Sequence, residues 1–211
     1  MEESEIKSRI VRGAEELFMR YGVRSITMDE IARHLGMSKK TLYQYFADKD
    51  DIVYWVTREH LELHARQFDQ IARESKNTVE ELVKISLCLR ENLRGMNPSI
   101  LFDLQKYHPR AWKEWGDHKK NYIRACVVRN LTEGIEQGYV RPEINPEILA
   151  IMRLETIQMC FDDQLFPRDK FSLTDVQLHI LDHFIYGLLT DKGRKLYKKY
   201  KETISEPLYN N

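Results

Sequence analysis

Apolar residues recur every three or four positions along most of the chain, the spacing of one face of an α-helix. In residues 4–21 this face comprises Ile6, Ile10, Ala14, Leu17, Phe18 and Tyr21. The chain has only nine glycines and six prolines in 211 residues, which favours long helices over turn-rich β structure. The pattern predicts an all-α fold of about nine helices.

Two short helices joined by a tight turn are predicted within residues 27–46. Thr27 and Glu30 have the spacing of a capping box, in which each side chain bonds the backbone amide of the other residue. Gly36 marks the turn and Ser38 marks the start of the second helix. Leu42 and Phe46 form the inner face of that helix. This pattern is typical of a helix-turn-helix, which places its second helix in the major groove of DNA.

Six further helices are predicted, each beginning at a capping residue or beside a proline in its first turn. Their start residues are Asp48, Asn77, Asn97, His108, Asn145 and Thr174. The helix from Asp48 runs to about residue 73 without glycine or proline, long enough to join a small head to a larger body. The head comprises the helix over residues 4–21 and the two short helices within residues 27–46. Three helices of this size are too small to bury a stable core, so we expect the head to pack against later residues.

The last two long helices are apolar around more of their circumference than a surface helix requires. They are therefore buried on two sides, either within one subunit or between that subunit and a second copy of the chain. We expect the second arrangement, a four-helix bundle formed by a homodimer. The residues expected at this interface are Ile151, Leu154, Ile157, Phe161, Leu181, Phe184, Ile185 and Leu188.

Composition adds few constraints on function. Hydrophobic residues make up 42% and charged residues 31% of the chain, and the net charge is zero. Overall basicity therefore gives no support for nucleic-acid binding, which must depend on local charge. The separated cysteines, the charged N-terminal segment and the short apolar runs indicate a cytoplasmic protein with reduced thiols and no membrane association.

The N-terminal quarter of the chain closely resembles the TetR family of bacterial transcriptional regulators. The residues that carry the resemblance are Ala14, Leu17, Phe18, Gly22, Thr27, Ile31, Ala32, Gly36, Met37, Ser38, Lys39, Thr41, Leu42, Tyr43, Phe46, Lys49 and Asp50. The rest of the chain is similar to the family only in its layout of helices. The resemblance implies a DNA-binding domain at residues 1–47 and a ligand-binding and dimerisation domain at residues 48–211. Lys40 departs from the pattern, because many members carry a small residue there.

The outward face of the second helix of the helix-turn-helix carries residue types that bind DNA. Lysine contacts phosphate or guanine, glutamine pairs with adenine, and hydroxyl groups bind phosphate oxygens. The resemblance implies backbone contacts for Thr41, Tyr43, Tyr45 and Lys49, and it places Lys39, Lys40 and Gln44 near the bases. Together with the capping residues Thr27 and Ser38, these are the candidate DNA-binding residues. One head reads only a few base pairs, so we expect a dimer on a palindromic double-stranded operator.

Aromatic and histidine side chains of the body are candidates for an inducer site, because apolar ligands are commonly held in aromatic-lined cavities between helices. These residues are Trp55, His60, His64, Phe102, Trp112, Trp115 and Tyr122. Aromatic residues at helical spacing also occur in ordinary cores, so each candidate has that second interpretation. The pairs His60–His64 and His179–His183 would each need a third ligand to hold a metal ion, so neither a metal nor a cofactor is expected.

The sequence contains no glycine-rich phosphate loop, nucleophile elbow or metalloprotease motif, and we expect no enzymatic activity. The predicted function is that of a repressor released from its operator when a small, apolar molecule binds the body. The expected mechanism is a shift of the long fourth helix that changes the distance between the two heads. The alternative is a ligand-independent helical DNA-binding adaptor of the same fold. Ligand-dependent release from DNA distinguishes the two.

Overall fold

The computed structural model describes residues 3–205 and confirms the predicted all-α fold. Within this range the chain forms eleven α-helices and one π-helical turn, but no β-strand. The helices are α1 (Glu3–Tyr21), α2 (Met28–His34), α3 (Lys39–Tyr45), α4 (Lys49–Glu74), α5 (Thr78–Leu93), α6 (Ile100–Tyr107), α7 (Pro109–His118), the π turn (Lys119–Ile123), α8 (Arg124–Glu136), α9 (Pro146–Met159), α10 (Leu173–Leu188) and α11 (Asp191–Ser205). None of the described helices is long and apolar enough to cross a bilayer.

Two local features raise the number of helices above the expected nine. The predicted helix over residues 109–137 is divided by the π turn, in which Lys119 is buried and its Nζ donates to Gln158 Oε1 at 2.7 Å. The basic segment after α10 forms a separate helix, α11, and buries Tyr197. Charge dominates the composition of this segment, but its few apolar residues decide its packing.

Most predicted helix boundaries are confirmed, including the caps Asn77 and Asn145. Two starts differ by two residues. Helix α6 begins after Ser99 rather than after Asn97, and α10 begins after Ser172 rather than Thr174. In α10 the cap is the Ser172 hydroxyl, which accepts a hydrogen bond from Asp175 N at 3.0 Å.

The chain divides into two compact units. Unit 1 comprises the described residues up to His64 together with Gly95–His118, and unit 2 comprises Ala65–Arg94 and the described residues from Lys119 onwards. Packing therefore groups α6 and α7 with the helix-turn-helix, whereas the predicted domains divide at residues 47 and 48. Helix α4 contributes residues to both units.

Unit 1 has one continuous apolar core. It contains Phe18 of α1, Ile31 of α2 and Leu42 of α3, all almost completely buried. The same core includes residues from α4, α6 and α7, namely Ile52, Val53, Val56, Ile100, Leu104 and Ala111. The expectation that the head packs against later residues is therefore confirmed, and α6 and α7 are among the elements it packs against.

Polar contacts join α6 to the turns around the helix-turn-helix. Asp103 is buried, and its Oδ2 accepts hydrogen bonds from Arg24 N at 3.0 Å and from Ser99 Oγ at 3.2 Å. At the end of α6, His108 Nδ1 lies 2.8 Å from Asp50 Oδ1 in the first turn of α4. Both contacts hold the loop before α2 and the start of α4 in fixed positions.

Three histidines lie close together in unit 1. The rings of His60 and His64 are 4.1 Å apart between centroids, and His60 Nδ1 is 2.7 Å from Glu15 Oε1. Burial lowers the pKa of His64 to about 4, and the charges of His60 and His118 add to the effect. Burial, with His60, also lowers the pKa of His118. The folded protein therefore favours the neutral form of His64.

Unit 2 has its own apolar core, formed mainly by α5, α8, α10 and α11. Its buried residues are Val79, Val83, Leu131, Val140, Leu181, Phe184, Ile185, Leu188, Leu189 and Tyr197. Val140 and Leu189 also pair in an isolated antiparallel bridge between the loop after α8 and the end of α10. Two ion pairs connect neighbouring elements to α9. Lys119 of the π turn pairs with Glu155, and Arg124 of α8 pairs with Glu147.

We predict that Leu104→Ala destabilises unit 1 by about 2–5 kcal/mol, because it opens a cavity in the core that α6 shares with the helix-turn-helix. Leu104 is 4% exposed, whereas Phe102 on the same helix is 54% exposed. All three tryptophans belong to unit 1, so urea unfolding followed by tryptophan fluorescence reports on this unit. Phe102→Ala is the matched control and should change stability by less than about 0.5 kcal/mol. Equal effects of the two substitutions would contradict the shared core.

We also predict that unit 1 loses stability in mild acid through His64. The pKa of His64 is lowered on folding, so its contribution is complete above about pH 6.5 and is lost as the pH falls towards about 4. Between about pH 7.5 and about pH 5 the loss is about 2 kcal/mol. Urea titrations of the wild type and His64→Gln at both pH values measure it, and the variant should lack this part of the loss. His34→Gln, at an exposed position on α2, should retain it.

Candidate nucleic-acid interface

The start of α2 is fixed by the predicted capping box. Thr27 N donates to Glu30 Oε2 at 2.7 Å, and Glu30 N donates to Thr27 Oγ1 at 3.2 Å. The hydrogen bonds from the Thr27 side chain and backbone lower the pKa of Glu30, so its carboxylate stays ionised at the helix N-terminus. The first helix of the motif therefore begins at the predicted residue.

The turn between α2 and α3 also follows the sequence pattern. Gly36 has a φ of 64°, in the left-handed region that a residue without a side chain adopts most easily. Ser38 caps α3 by accepting a hydrogen bond from Thr41 N at 3.0 Å. Leu42 and Phe46 are buried in the core of unit 1, as predicted. This packing fixes which side of α3 faces outward.

The outward side of α3 carries the predicted DNA-reading residues. Lys39, Lys40, Tyr43 and Gln44 are exposed, and Thr41 and Tyr45 are half-buried. Lys39 Nζ lies 3.0 Å from the Asp29 carboxylate, which raises the pKa of Lys39 through a hydrogen bond and through charge. Lys40 makes no ion pair with any residue of the described part of the chain. The two adjacent lysines therefore differ in how freely they can meet a phosphate.

Three predicted contact residues already use their hydroxyl groups within the motif. Thr27 Oγ1 donates to Glu30 Oε2 at 2.8 Å, and the hydroxyls of Ser38 and Thr41 are 2.7 Å apart. Because a hydroxyl oxygen both donates and accepts, these bonds leave part of its capacity for other partners.

Lys49, the predicted phosphate contact at the start of α4, is partly enclosed. Its Nζ lies 3.4 Å from the carbonyl oxygen of Arg24. Burial lowers its pKa, while the charges of Asp103 and Glu30 act in the opposite direction. A phosphate at this position would have to compete with the carbonyl group of Arg24 for the ammonium.

The predicted inducer residues do not form one cluster. Six of them belong to unit 1, and Tyr122 belongs to unit 2. Trp55 and Phe102 are exposed, Trp112 packs against the core of unit 1, and the Trp115 indole nitrogen is buried without a hydrogen-bond partner in the structure. Tyr122 donates its hydroxyl towards Ala65 O and Asp69 Oδ1, each at 2.8 Å.

A cavity of about 200 Å³ in unit 2 was not foreseen from the sequence. It lies among α5, α10 and α11 and is lined by Val83, Ser86, Leu87, Arg90, Leu178, His179, Asp182, Tyr197 and Lys201. Asp182 Oδ1 accepts hydrogen bonds from Tyr197 at 2.9 Å and Lys201 at 2.8 Å. The cavity depends on the packing of α11, a mostly charged helix whose sequence does not show which neighbours it packs against.

Five of the eight residues expected at a dimer interface are buried within the subunit. They are Leu154, Leu181, Phe184, Ile185 and Leu188. The four residues of α10 in this set belong to the core of unit 2, because α5 and α11 cover them. Ile157 and Phe161 are partly buried, and Ile151 is exposed. Hydrophobicity predicted that these helices are buried but did not show which neighbour buries each face.

The described residues contain no group of three histidine, cysteine, aspartate or glutamate side chains placed to hold a metal ion. His60 and His64 form their contacts within unit 1, and His179 Nδ1 lies 2.8 Å from Asp175 O on its own helix.

Comparison with known sequences identifies the helix-turn-helix. A family profile described as bacterial regulatory proteins, tetR family, matches residues 10–54. The chain is 29% identical to the uncharacterized HTH-type transcriptional regulator YvaF of Bacillus subtilis, over 80% of this chain and 88% of that protein. It is 37% identical to the HTH-type transcriptional regulator SAB2452 of Staphylococcus aureus, over 60% of this chain and 63% of that protein.

Solved structures share the fold over most of the chain. A TetR-family transcriptional regulator from Agrobacterium tumefaciens aligns with a TM-score of 0.74 at 12% identity, covering 90% of this chain and 100% of that one. A putative transcriptional regulator from Saccharomonospora viridis, solved in complex with choline, aligns with a TM-score of 0.71 at 20% identity, covering 89% and 99%. The matched sequence motif, the capped helices and the exposed face of α3 lead to one conclusion. The chain belongs to the TetR family of bacterial regulatory proteins and is a DNA-binding transcriptional regulator.

Proposed function

We propose that this protein is a homodimeric repressor that leaves a palindromic operator when a small organic molecule binds its body. In this proposal residues 1–47 read DNA in the cytoplasm, and residues 48–211 hold the ligand and form the dimer. The observation that carries the proposal is the outward face of α3, where a buried inner face leaves Lys40, Tyr43 and Gln44 exposed. The choline complex of a protein with the same fold supports ligand-responsive action over a ligand-independent adaptor.

The DNA contacts follow from the chemistry of this face. Lys40 offers an ammonium to a phosphate or a guanine, Gln44 offers an amide that can pair with adenine, and Tyr43 offers a hydroxyl to a phosphate. Lys39 first has to exchange its ion pair with Asp29 for a contact with DNA. Because the net charge is zero, affinity depends on these few groups and on the fit of two heads to two half-sites.

The dimer surface proposed here is the exposed face of α9, defined by Ile148, Ile151, Met152 and Met159. These residues repeat at helical spacing over three turns and form an apolar stripe, which the exposed Glu155 interrupts between Met152 and Met159. Ile148 is 61% exposed and Ile151 is 52% exposed, unusual values for isoleucines that follow one another on a helix. A second copy of the chain packed on this face would remove the stripe from water.

We predict that Lys40→Ala reduces the salt dependence of operator binding more than Lys39→Ala does. Each phosphate contact adds about one unit to the slope of log affinity against log salt concentration, so losing Lys40 should remove about one unit per subunit. The operator is first obtained by selection from random double-stranded DNA, and affinities are then measured by fluorescence anisotropy at several salt concentrations.

Lys39→Ala is the matched control, because it removes the same charge from the neighbouring residue of the same helix. Its effect on the slope should be smaller, since Asp29 already neutralises this lysine. Equal slopes in the wild type and Lys40→Ala would remove Lys40 from the DNA interface. Selected sequences without two-fold symmetry would contradict the dimeric operator.

We predict that Ile151→Lys converts the dimer into a monomer of about 25.2 kDa, because the charge would have to be buried in an apolar interface. Light scattering after gel filtration measures the mass. Leu63→Lys, which changes an exposed aliphatic residue of α4, should leave the dimer intact. A wild-type protein that is monomeric at the concentrations where it binds the operator would contradict the proposal.

A further inference from the structure

The buried face of α9 contains a charged residue. Arg153 lies beside Ala150 and Leu154 in this helix and is only 5% exposed. The exposed face of α9 is formed by other positions, including Ile148 and Ile151, so a partner on that face would not reach the guanidinium of Arg153. The charge lies inside unit 2 of a single subunit.

Arg153 has no counter-charge in the described part of the chain. Its Nη1 is buried without a hydrogen-bond partner, and no carboxylate of residues 3–205 forms an ion pair with it. Glu155, two residues further along α9, instead pairs with Lys119 at 3.1 Å. Burial lowers the pKa of Arg153 to about 10, so the group remains protonated near neutral pH. A buried cation without a partner is costly, which calls for a physical reason for its presence.

A second guanidinium with an unused donor lies close to the same site. Arg168, in the loop between α9 and α10, donates from Nε to Asp163 Oδ1 at 2.7 Å and from Nη2 to Cys160 O at 3.0 Å. Its Nη1 is buried and has no partner in the described structure. Two arginines, one from the middle of α9 and one from the loop that follows it, thus each have a buried N–H group without a partner.

Cys160 connects the positions of the two arginines. It follows Arg153 by seven residues, about two helical turns, and so lies on the same side of α9, and its carbonyl oxygen accepts a hydrogen bond from Arg168 Nη2 at 3.0 Å. Burial raises the pKa of Cys160 to about 11, and the charges of Arg153 and Arg168 both act to lower it. The thiol is therefore neutral, and it donates to Thr156 O at 3.0 Å. It lies within range of both cations but does not neutralise either one.

The balance of charge defines what would complete this site. Arg153 and Arg168 carry two positive charges, and Asp163 carries one negative charge, which leaves a net charge of plus one. A singly charged anion neutralises that charge, whereas a phosphate dianion would leave an unpaired negative charge in the interior. The two oxygens of a carboxylate also match N–H donors from two guanidinium groups.

We propose that Arg153 and Arg168, beside Cys160, bind the carboxylate group of a small organic acid inside unit 2. The assignment of this acid as the effector that releases DNA rests on the function proposed above, but the binding site itself does not. The apolar neighbours of Arg153 on α9 suit an acid with an aliphatic chain, so octanoate is a suitable probe.

The full-length protein is titrated with sodium octanoate and with octanamide by isothermal calorimetry, without DNA. Octanoate should bind and raise the melting temperature, and octanamide, of similar shape but without charge, should not. Arg153→Met should weaken octanoate binding by at least about tenfold, the value of a hydrogen bond between charged groups. Without ligand the same variant should melt at a higher temperature than the wild type, because an unpaired buried charge has been removed.

Two further variants keep the test decisive if Arg153→Met folds poorly. Arg168→Met should also weaken octanoate binding. Arg124→Met is the matched control, because Arg124 is an exposed arginine of unit 2 that pairs with Glu147 at 2.7 Å, and it should leave binding unchanged. Equal affinity for octanoate and octanamide would overturn the proposal. So would unchanged binding in both arginine variants, or no binding of any straight-chain acid from acetate to octanoate. Tighter binding of inorganic phosphate than of these acids would overturn the assignment to a carboxylate.

A separate measurement distinguishes this site from the proposed regulation. Operator affinity is measured by anisotropy with and without octanoate at concentrations that saturate the calorimetric site. Octanoate binding that depends on Arg153 but leaves operator affinity unchanged would support the site and contradict its role as the effector site. Release of DNA by a neutral molecule, but not by octanoate, would support the proposed function and overturn the assignment of the acid as the effector.

Discussion

The helix-turn-helix of this protein depends on a core that it does not supply alone. A three-helix head of this size buries too little apolar surface for independent stability. Ile100, Leu104 and Ala111 of α6 and α7 belong to the same apolar core as Leu42 of α3. The hydrogen bonds of Asp103 and the contact between His108 and Asp50 add fixed polar connections to the same region. The orientation of the DNA-reading helix is therefore inseparable from the packing of α6 within unit 1.

Local signals in the sequence predicted the helices and which residues of α3 are exposed. Thr27, Gly36 and Ser38 form the caps and the turn at the predicted residues, because caps depend on a few neighbouring atoms. The same signals do not show which neighbouring helix or subunit covers each apolar face. Phe184 and Leu188 look equally suited to a core and to a dimer interface, and only the position of α5 and α11 shows that they are core. Long-range packing of this kind is not encoded in periodicity.

The location of a ligand site is equally hard to predict from the sequence, because it too depends on long-range packing. Trp55 and Phe102 satisfy the composition expected of an aromatic pocket, but both are exposed on unit 1. Nothing in the sequence distinguishes Arg153, because a single arginine in an apolar helix usually extends its charge into water. Its burial without a carboxylate is visible only in the folded chain. A regulator that senses an acid would need a cation kept free of internal partners, and unit 2 contains one.

If the protein binds an operator as proposed, the ion pair between Lys39 and Asp29 shortens the time it spends on DNA that lacks the operator. Attraction to arbitrary DNA depends on the number of free cations, and this chain has no net charge to add to them. A chromosome offers millions of competing sites, so the fraction of molecules held away from the operator falls as this attraction falls. A small number of copies per cell is then enough to keep the operators occupied.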